Sequence, residues 1–143
     1  MHTVKHDLRG KLWCGPAALS AITGRGTREV RDALWTFYGD REPVRGVPRT
    51  AMLRVLEAMG YGFRALWEWN PDYRNPTLRQ FEKHFRPVLG ELPVLCGVTR
   101  HWTVLQEGLF VDSWTKKPLP FAQAPAEIRR RHVWYAYQIF QRT

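Results

Sequence analysis

Residues 11–24 read KLWCGPAALSAITG, and the reading of this stretch decides the fold. A thiol, Cys14, stands directly before Gly15-Pro16, and the pair opens a run of small apolar residues that closes at Gly24. Proline is tolerated in the first turn of a helix, where its missing N–H has no partner to lose, and glycine is favoured just past the last turn. The stretch therefore predicts a helix from Cys14 to Thr23, buried through Ala17, Ala18, Leu19 and Ile22. A helix N-terminus carries unpaired N–H groups and the positive end of the dipole, and both favour an anion. A free cysteine, with a pKa of about 8.5, holds little thiolate at neutral pH; one placed at a helix start holds more. Gly15 would let a substrate approach the backbone closely. The same cysteine also fits a plain structural role, because free cysteines are mostly buried and inert.

Outward from this helix, Thr27 starts a second one, with Val30, Ala33, Leu34 and Phe37 at helical spacing and a stop at Gly39. A third begins near Pro48, carries Met52, Leu53, Leu56 and Met59 on one stripe, and ends at Gly60. Residues 61–69 alternate loosely and predict a strand, on which Trp67 and Trp69 would share a face. Residues 70–76 are turn-rich, and Thr77 caps a short helix over 78–85 that Pro87 terminates. The signal then becomes β: an apolar run over 92–98, a strand over 101–106, a Glu107-Gly108 turn into 109–112, a proline-bearing loop over 116–125 and an aromatic strand over 132–140. Helices first and an antiparallel sheet second make an α+β pattern in a single domain over residues 1–143.

A nucleophilic thiol needs a base, and the base needs an orienting group. His101 opens one strand and Asp112 closes the next, and two antiparallel strands joined by a tight turn bring their far ends together. Each residue taken alone also fits a bland role, His101 as a structural histidine and Asp112 as a turn residue. Trp13 and Trp102 flank the pair and would wall a substrate cleft or simply pack in the core.

In order, Cys-Gly-Pro-Ala-Ala-Leu, then a His-Trp strand, then Asp-Ser-Trp at 112–114 resemble the papain-like cysteine peptidase superfamily. The likeness is closest to the compact bacterial branch that includes the bacteriocin leader (double-glycine) peptidases, and the segment from Val47 to Tyr61 is similar to that branch's intervening helix. The resemblance implies a papain-like fold, with N-terminal helices packed on a C-terminal antiparallel sheet. It also implies a thiol hydrolase of peptide or isopeptide bonds, with Cys14 as nucleophile, His101 as general base and acid, and Asp112 as the orienting carboxylate. A peptide or protein would be the substrate, met at Trp13, Gly15 and Trp102. One departure stands out. These families hold a glutamine shortly before the nucleophile, whose amide helps bind the oxyanion, and that position here is Leu8. Such a donor contributes roughly 3–4 kcal/mol to the transition state. His6, Arg9 and Lys11 are the nearby substitutes. The gap keeps two alternatives open: a weak or inactive papain-like fold used as a protein-binding module, such as an inhibitor or adaptor, viral ones included, and a basic nucleic-acid-associated protein.

Composition sets the remaining bounds. Hydrophobic residues make up 44% of the chain and charged residues 24%, the balance of an ordinary globular domain. No apolar run approaches the ~20 residues of a membrane span, and residues 1–10 hold no apolar signal core, so no membrane association and a cytoplasmic location are expected. No HExxH, paired-cysteine or phosphate-loop motif is present, so no cofactor or metal is expected. The net charge of +9 is mostly scattered arginine, with Arg129-Arg130-Arg131 the only tight cluster, which suits solubility and non-specific attraction to nucleic acid rather than sequence recognition. Cys96, in LPVLCGV, reads as a core thiol, and a disulfide to Cys14 is not expected in a reducing compartment. His84 reads as a surface residue, His132 as a weak alternative base, and His2 and His6 as part of a mobile N-terminus.

Overall fold

A computed structural model describes residues 1–39 and 46–142. Three helices come first: α1 (Cys14–Thr23), α2 (Thr27–Tyr38) and α3 (Arg49–Ala58). Strand β1 (Tyr61–Glu68), helix α4 (Leu78–Leu89), strands β2 (Val94–Val98), β3 (His101–Gln106), β4 (Leu109–Val111) and β5 (Leu119–Pro120), the short helix α5 (Ala126–Arg129) and strand β6 (Val133–Gln141) follow. The six strands form one antiparallel sheet in the order β1-β6-β2-β3-β4-β5. The domain is therefore α+β, but helices and strands are not segregated in the chain: β1 comes before α4, and it completes the sheet by pairing with the last strand, Tyr61 opposite Gln141.

The sheet is covered on both faces. Leu95, Trp102, Val104, Val111, Tyr137 and Ile139 face α1, α2 and α3. Their alternates along the same strands, among them Val94, Cys96, Leu105, Phe110 and Ala136, face α4 and α5. This period-two alternation with two covered faces explains why β2 is buried along its whole length and reads as an unbroken apolar run. Trp102 enters the first core across from Gly97, its pairing partner on β2. A Cβ on Gly97 would lie 2.8 Å from the Trp102 indole, so the absent side chain makes room for the ring.

Several elements follow local chemistry. Gly24 closes α1 with φ 74, the left-handed conformation that glycine takes without strain. Thr77 and Gln80 form a reciprocal capping box at the start of α4. Glu107 and Gly108 both take positive φ, at 50 and 78, the backbone sense that a two-residue hairpin turn needs. Other expectations are corrected. Pro87 does not stop α4, which continues to Leu89. Leu89 is buried and its carbonyl accepts a hydrogen bond from Gln138 Nε2, so tertiary contacts hold the last turn against the proline. Trp67 and Trp69 do not share a strand face: the β1–β6 register shifts between Ala65 and Trp67, β1 ends at Glu68, and exposed Trp69 stacks on Trp134 at 6.0 Å. Residues 2–7 are tied down rather than mobile. His2 N–H donates to Ala21, Val4 N–H to Lys116 and Lys5 N–H to Ser20 Oγ. The Asp7 carboxylate caps α2 by accepting the Arg28 N–H at 2.7 Å. Among the described residues no helix is long and apolar enough to cross a membrane.

Replacing Gly97 with alanine forces the Trp102 ring to shift in a closed core. We expect a loss of about 1–3 kcal/mol in chemical denaturation; a change within about 0.5 kcal/mol would show that the indole moves freely.

Candidate active site

Cys14, His101 and Asp112 come from three separate elements, and the packing of α1 against β3 brings them to one end of the sheet. Cys14 is the first residue of α1 and is partly exposed, whereas Gly15 to Ile22 are all buried. Its own N–H lies in the first turn, where no carbonyl of the helix can reach it. His101 is the first residue of β3, and Asp112 follows the last residue of β4. The β3–β4 register sets Val104 opposite Val111. Continued by one residue, it puts Asp112 across from Thr103 and one diagonal step from His101, a spacing that side chains bridge.

They do bridge it. His101 Nε2 lies 2.8 Å from Asp112 Oδ2, and both side chains are buried. The other carboxylate oxygen accepts the backbone N–H groups of Trp114 and Thr115, each at 2.9 Å, and the Asp112 N–H donates to Thr115 Oγ1. The carboxylate is thus locked in an Asx turn, with one oxygen committed to the imidazole. Nε2 faces Asp112, so Nδ1 is the ring nitrogen left for Cys14, which lines the same cleft. Burial pushes the His101 pKa down, but the hydrogen bond and charge of Asp112, with Cys14 beside the ring, outweigh it and hold the value up at about 9. The ring is consequently protonated at neutral pH, and a cation sits beside the thiol.

One lid over this pair was not singled out from the sequence. The Trp114 ring lies 5.1 Å from the His101 ring, tilted by 35°, and the Arg131 guanidinium stands 5.7 Å over the outer face of Trp114. Its signal was the aromatic residue two places after Asp112, in DSW; what the sequence could not give is the turn that folds it back over the histidine. Trp13 and Trp102 both line an open cleft of about 530 Å³ beside Cys14 and His101, with Val47, Arg100 and Tyr135. Trp102 is also anchored, donating its indole N–H to the Val47 carbonyl at 3.0 Å. Gly15 is absent from that lining. It is buried, and a Cβ there would come within 2.9 Å of Val47 Cγ2, so its missing side chain admits the segment leading into α3.

The remaining candidates lie elsewhere. Leu8 is half-buried. His6 is held by Gly10 O and Thr27 Oγ1, Arg9 lines a neighbouring hollow, and Lys11 Nζ stands 4.3 Å over the Trp13 ring. His84 and His132 line a groove on the α4 side that contains no thiol. Cys96 points into the core between the sheet and α4, where burial pushes its thiol pKa far up. Cys14 packs with the opposite core, and both thiols are free, as the two sheet faces require. Among the described residues no group of three or more His, Cys, Asp or Glu side chains is placed to share a metal ion.

The His101 proton predicts a pH dependence of stability. The folded pKa of about 9 lies above the ordinary 6.5, so the protonated ring stabilises the fold, fully below pH 6.5, and this contribution is lost as pH rises through 9. The melting temperature should fall across that window, and His101→Ala should lack this component; a wild-type melting temperature flat over the same range would show a neutral ring. No protein-family model matches this chain, and no curated protein matches it.

Proposed function

We propose that the chain is a papain-like thiol hydrolase that cleaves a peptide or isopeptide bond through an acyl-enzyme on Cys14. The observation that carries this reading is the buried 2.8 Å contact between His101 Nε2 and Asp112, with Cys14 lining the same cleft at the start of α1. A protonated imidazole beside a sulfur at a helix N-terminus favours the thiolate. In the first half-reaction Cys14 Sγ attacks the carbonyl carbon, the C–N bond breaks, and His101 gives its proton to the leaving amine. In the second, water attacks the thioester, His101 takes a proton from it, and the C–S bond breaks to release the acid. Asp112 fixes the tautomer and orientation of the ring throughout.

The oxyanion would meet the Cys14 N–H, which no helical carbonyl occupies. Of the three substitutes for the missing glutamine, Lys11 stands over the ring of Trp13, which lines the cleft, and is the candidate second donor. Leu8 favours a second reading, in which the same fold binds a protein partner and turns nothing over. The loss of one oxyanion donor lowers kcat by about 10²–10³-fold, so a slow hydrolase falls between the two readings. A cytoplasmic location accompanies the proposal.

The two readings separate on thiol reactivity. Alkylation by iodoacetamide, read by peptide mass spectrometry across pH with Cys96 as internal control, should label Cys14 rapidly well below pH 8, and His101→Ala should abolish that reactivity. A Cys14 that titrates like a free thiol in both proteins, near the ordinary value of about 8.5, would leave the binding-module reading.

A further inference from the structure

The cleft beside Cys14 has a charge pattern of its own. Its walls are largely apolar and aromatic, with Trp13, Val47, Trp102, Trp134 and Tyr135 among them. Among the described residues its titratable and charged side chains are Cys14, Arg49, Arg100 and His101, and no acidic side chain of these residues lines it. Asp112 pairs with the His101 ring, so the unbalanced positive charge of this end rests on the arginines.

The arginines differ in their commitments. Arg49 donates to the Tyr137 hydroxyl at 2.8 Å, stacks over the Tyr135 ring at 4.5 Å and lies 4.0 Å from Glu68. Arg131, just behind, donates to the Thr99 carbonyl and pairs with Glu127. Arg100 has no hydrogen-bond acceptor and no acidic partner among the described residues, yet it lines the cleft directly before His101. Its backbone is also unusual. Thr99 and Arg100 form the two-residue link between β2 and β3, closed by the Val98–His101 pair, and Arg100 takes φ 59. Glycine adopts that conformation freely, whereas an L side chain is strained in it. Arg100 is exposed at the mouth of the cleft, and among the described residues it has no partner, so its guanidinium is free to meet a ligand that enters there.

We infer that this cleft takes an extended peptide bearing a carboxylate close to the bond presented to Cys14, and that Arg100 is the residue that selects it. The carboxylate is either an aspartate or glutamate side chain or the peptide's own C-terminus. The aromatic walls hold the flanking residues, and Arg100, exposed at the mouth, meets the carboxylate at the edge of the cleft. A guanidinium also presents paired donors that match a carboxylate. The inference rests on the proposed hydrolase site for what happens to the peptide afterwards, but not for the binding itself.

Binding is therefore measured with the full chain carrying Cys14→Ser, which cannot alkylate or form a thioester. Calorimetry would compare alanine-based heptapeptides, blocked at both ends, in which one glutamate is moved through each position, with their glutamine twins and with a glutamine peptide that has a free C-terminal carboxylate. At least one glutamate position, or the free carboxylate, should bind about tenfold tighter than its neutral twin, the gain expected from one charge-assisted hydrogen-bonded pair. The arm that gains identifies the source of the carboxylate. Arg100→Glu should erase the difference. Arg100→Gly should erase it too while keeping or raising the melting temperature, because glycine relieves the backbone. Arg79→Glu, an equal charge change on α4 across the sheet, should leave the preference intact. Equal affinity for charged and neutral peptides, no binding by any of them, a preference that survives Arg100→Gly, or one lost equally in Arg79→Glu would each overturn the inference. Failure of the hydrolase reading shows separately, in the alkylation of wild-type Cys14.

Discussion

Helix α1 is buried from Gly15 to Ile22 with no face left to solvent, and the site depends on that confinement. A helix apolar all round has to lie inside a domain rather than on it. Small side chains at Ala17, Ala18 and Ala21, all without exposure, let it approach the sheet and the other helices closely. Only the two end residues emerge, and the one at the N-terminal end is Cys14. The sulfur is thus placed by the burial of eight residues that take no part in the chemistry, while strand register places its two partners.

Electrostatics then depends on geometry that packing has already fixed. A histidine buried without a partner would lose its proton. Here the Asx turn at Asp112 aims one carboxylate oxygen at Nε2, and Trp114 shields the contact. The ring therefore keeps its proton against the cost of burial. The same shielding explains why Asp112 needs three hydrogen bonds to its carboxylate: a buried charge with fewer partners is costly.

Much of this was legible where the signal is local. The bounds of α1 follow from Pro16 and Gly24, the α4 start from Thr77, and the end of β3 from the Glu107-Gly108 turn. That turn also made the meeting of His101 and Asp112 readable, because a two-residue hairpin fixes register. What escaped reading is long-range. Nothing near Tyr61 announces that β1 pairs with β6, nor does Asp7 reveal that it caps a helix that begins twenty residues later. Pro87 misled because its local cost is offset by Gln138 and the burial of Leu89. Gly15 misled because a glycine needed for tight packing and one needed for ligand access look alike in sequence.

The sheet order carries a consequence for how the protein is made. Strand β6 is hydrogen-bonded between β1 and β2, so the two halves of the sheet have no direct pairing without it. Residues 14, 101 and 112 are all synthesised earlier than residues 133–141. A nascent chain that already carries thiol, imidazole and carboxylate therefore still lacks the strand that ties together both halves of the sheet, and the non-local pairing it awaits is the slow kind. The sheet that backs Cys14, His101 and Asp112 is therefore closed only once residues 133–141 have been made.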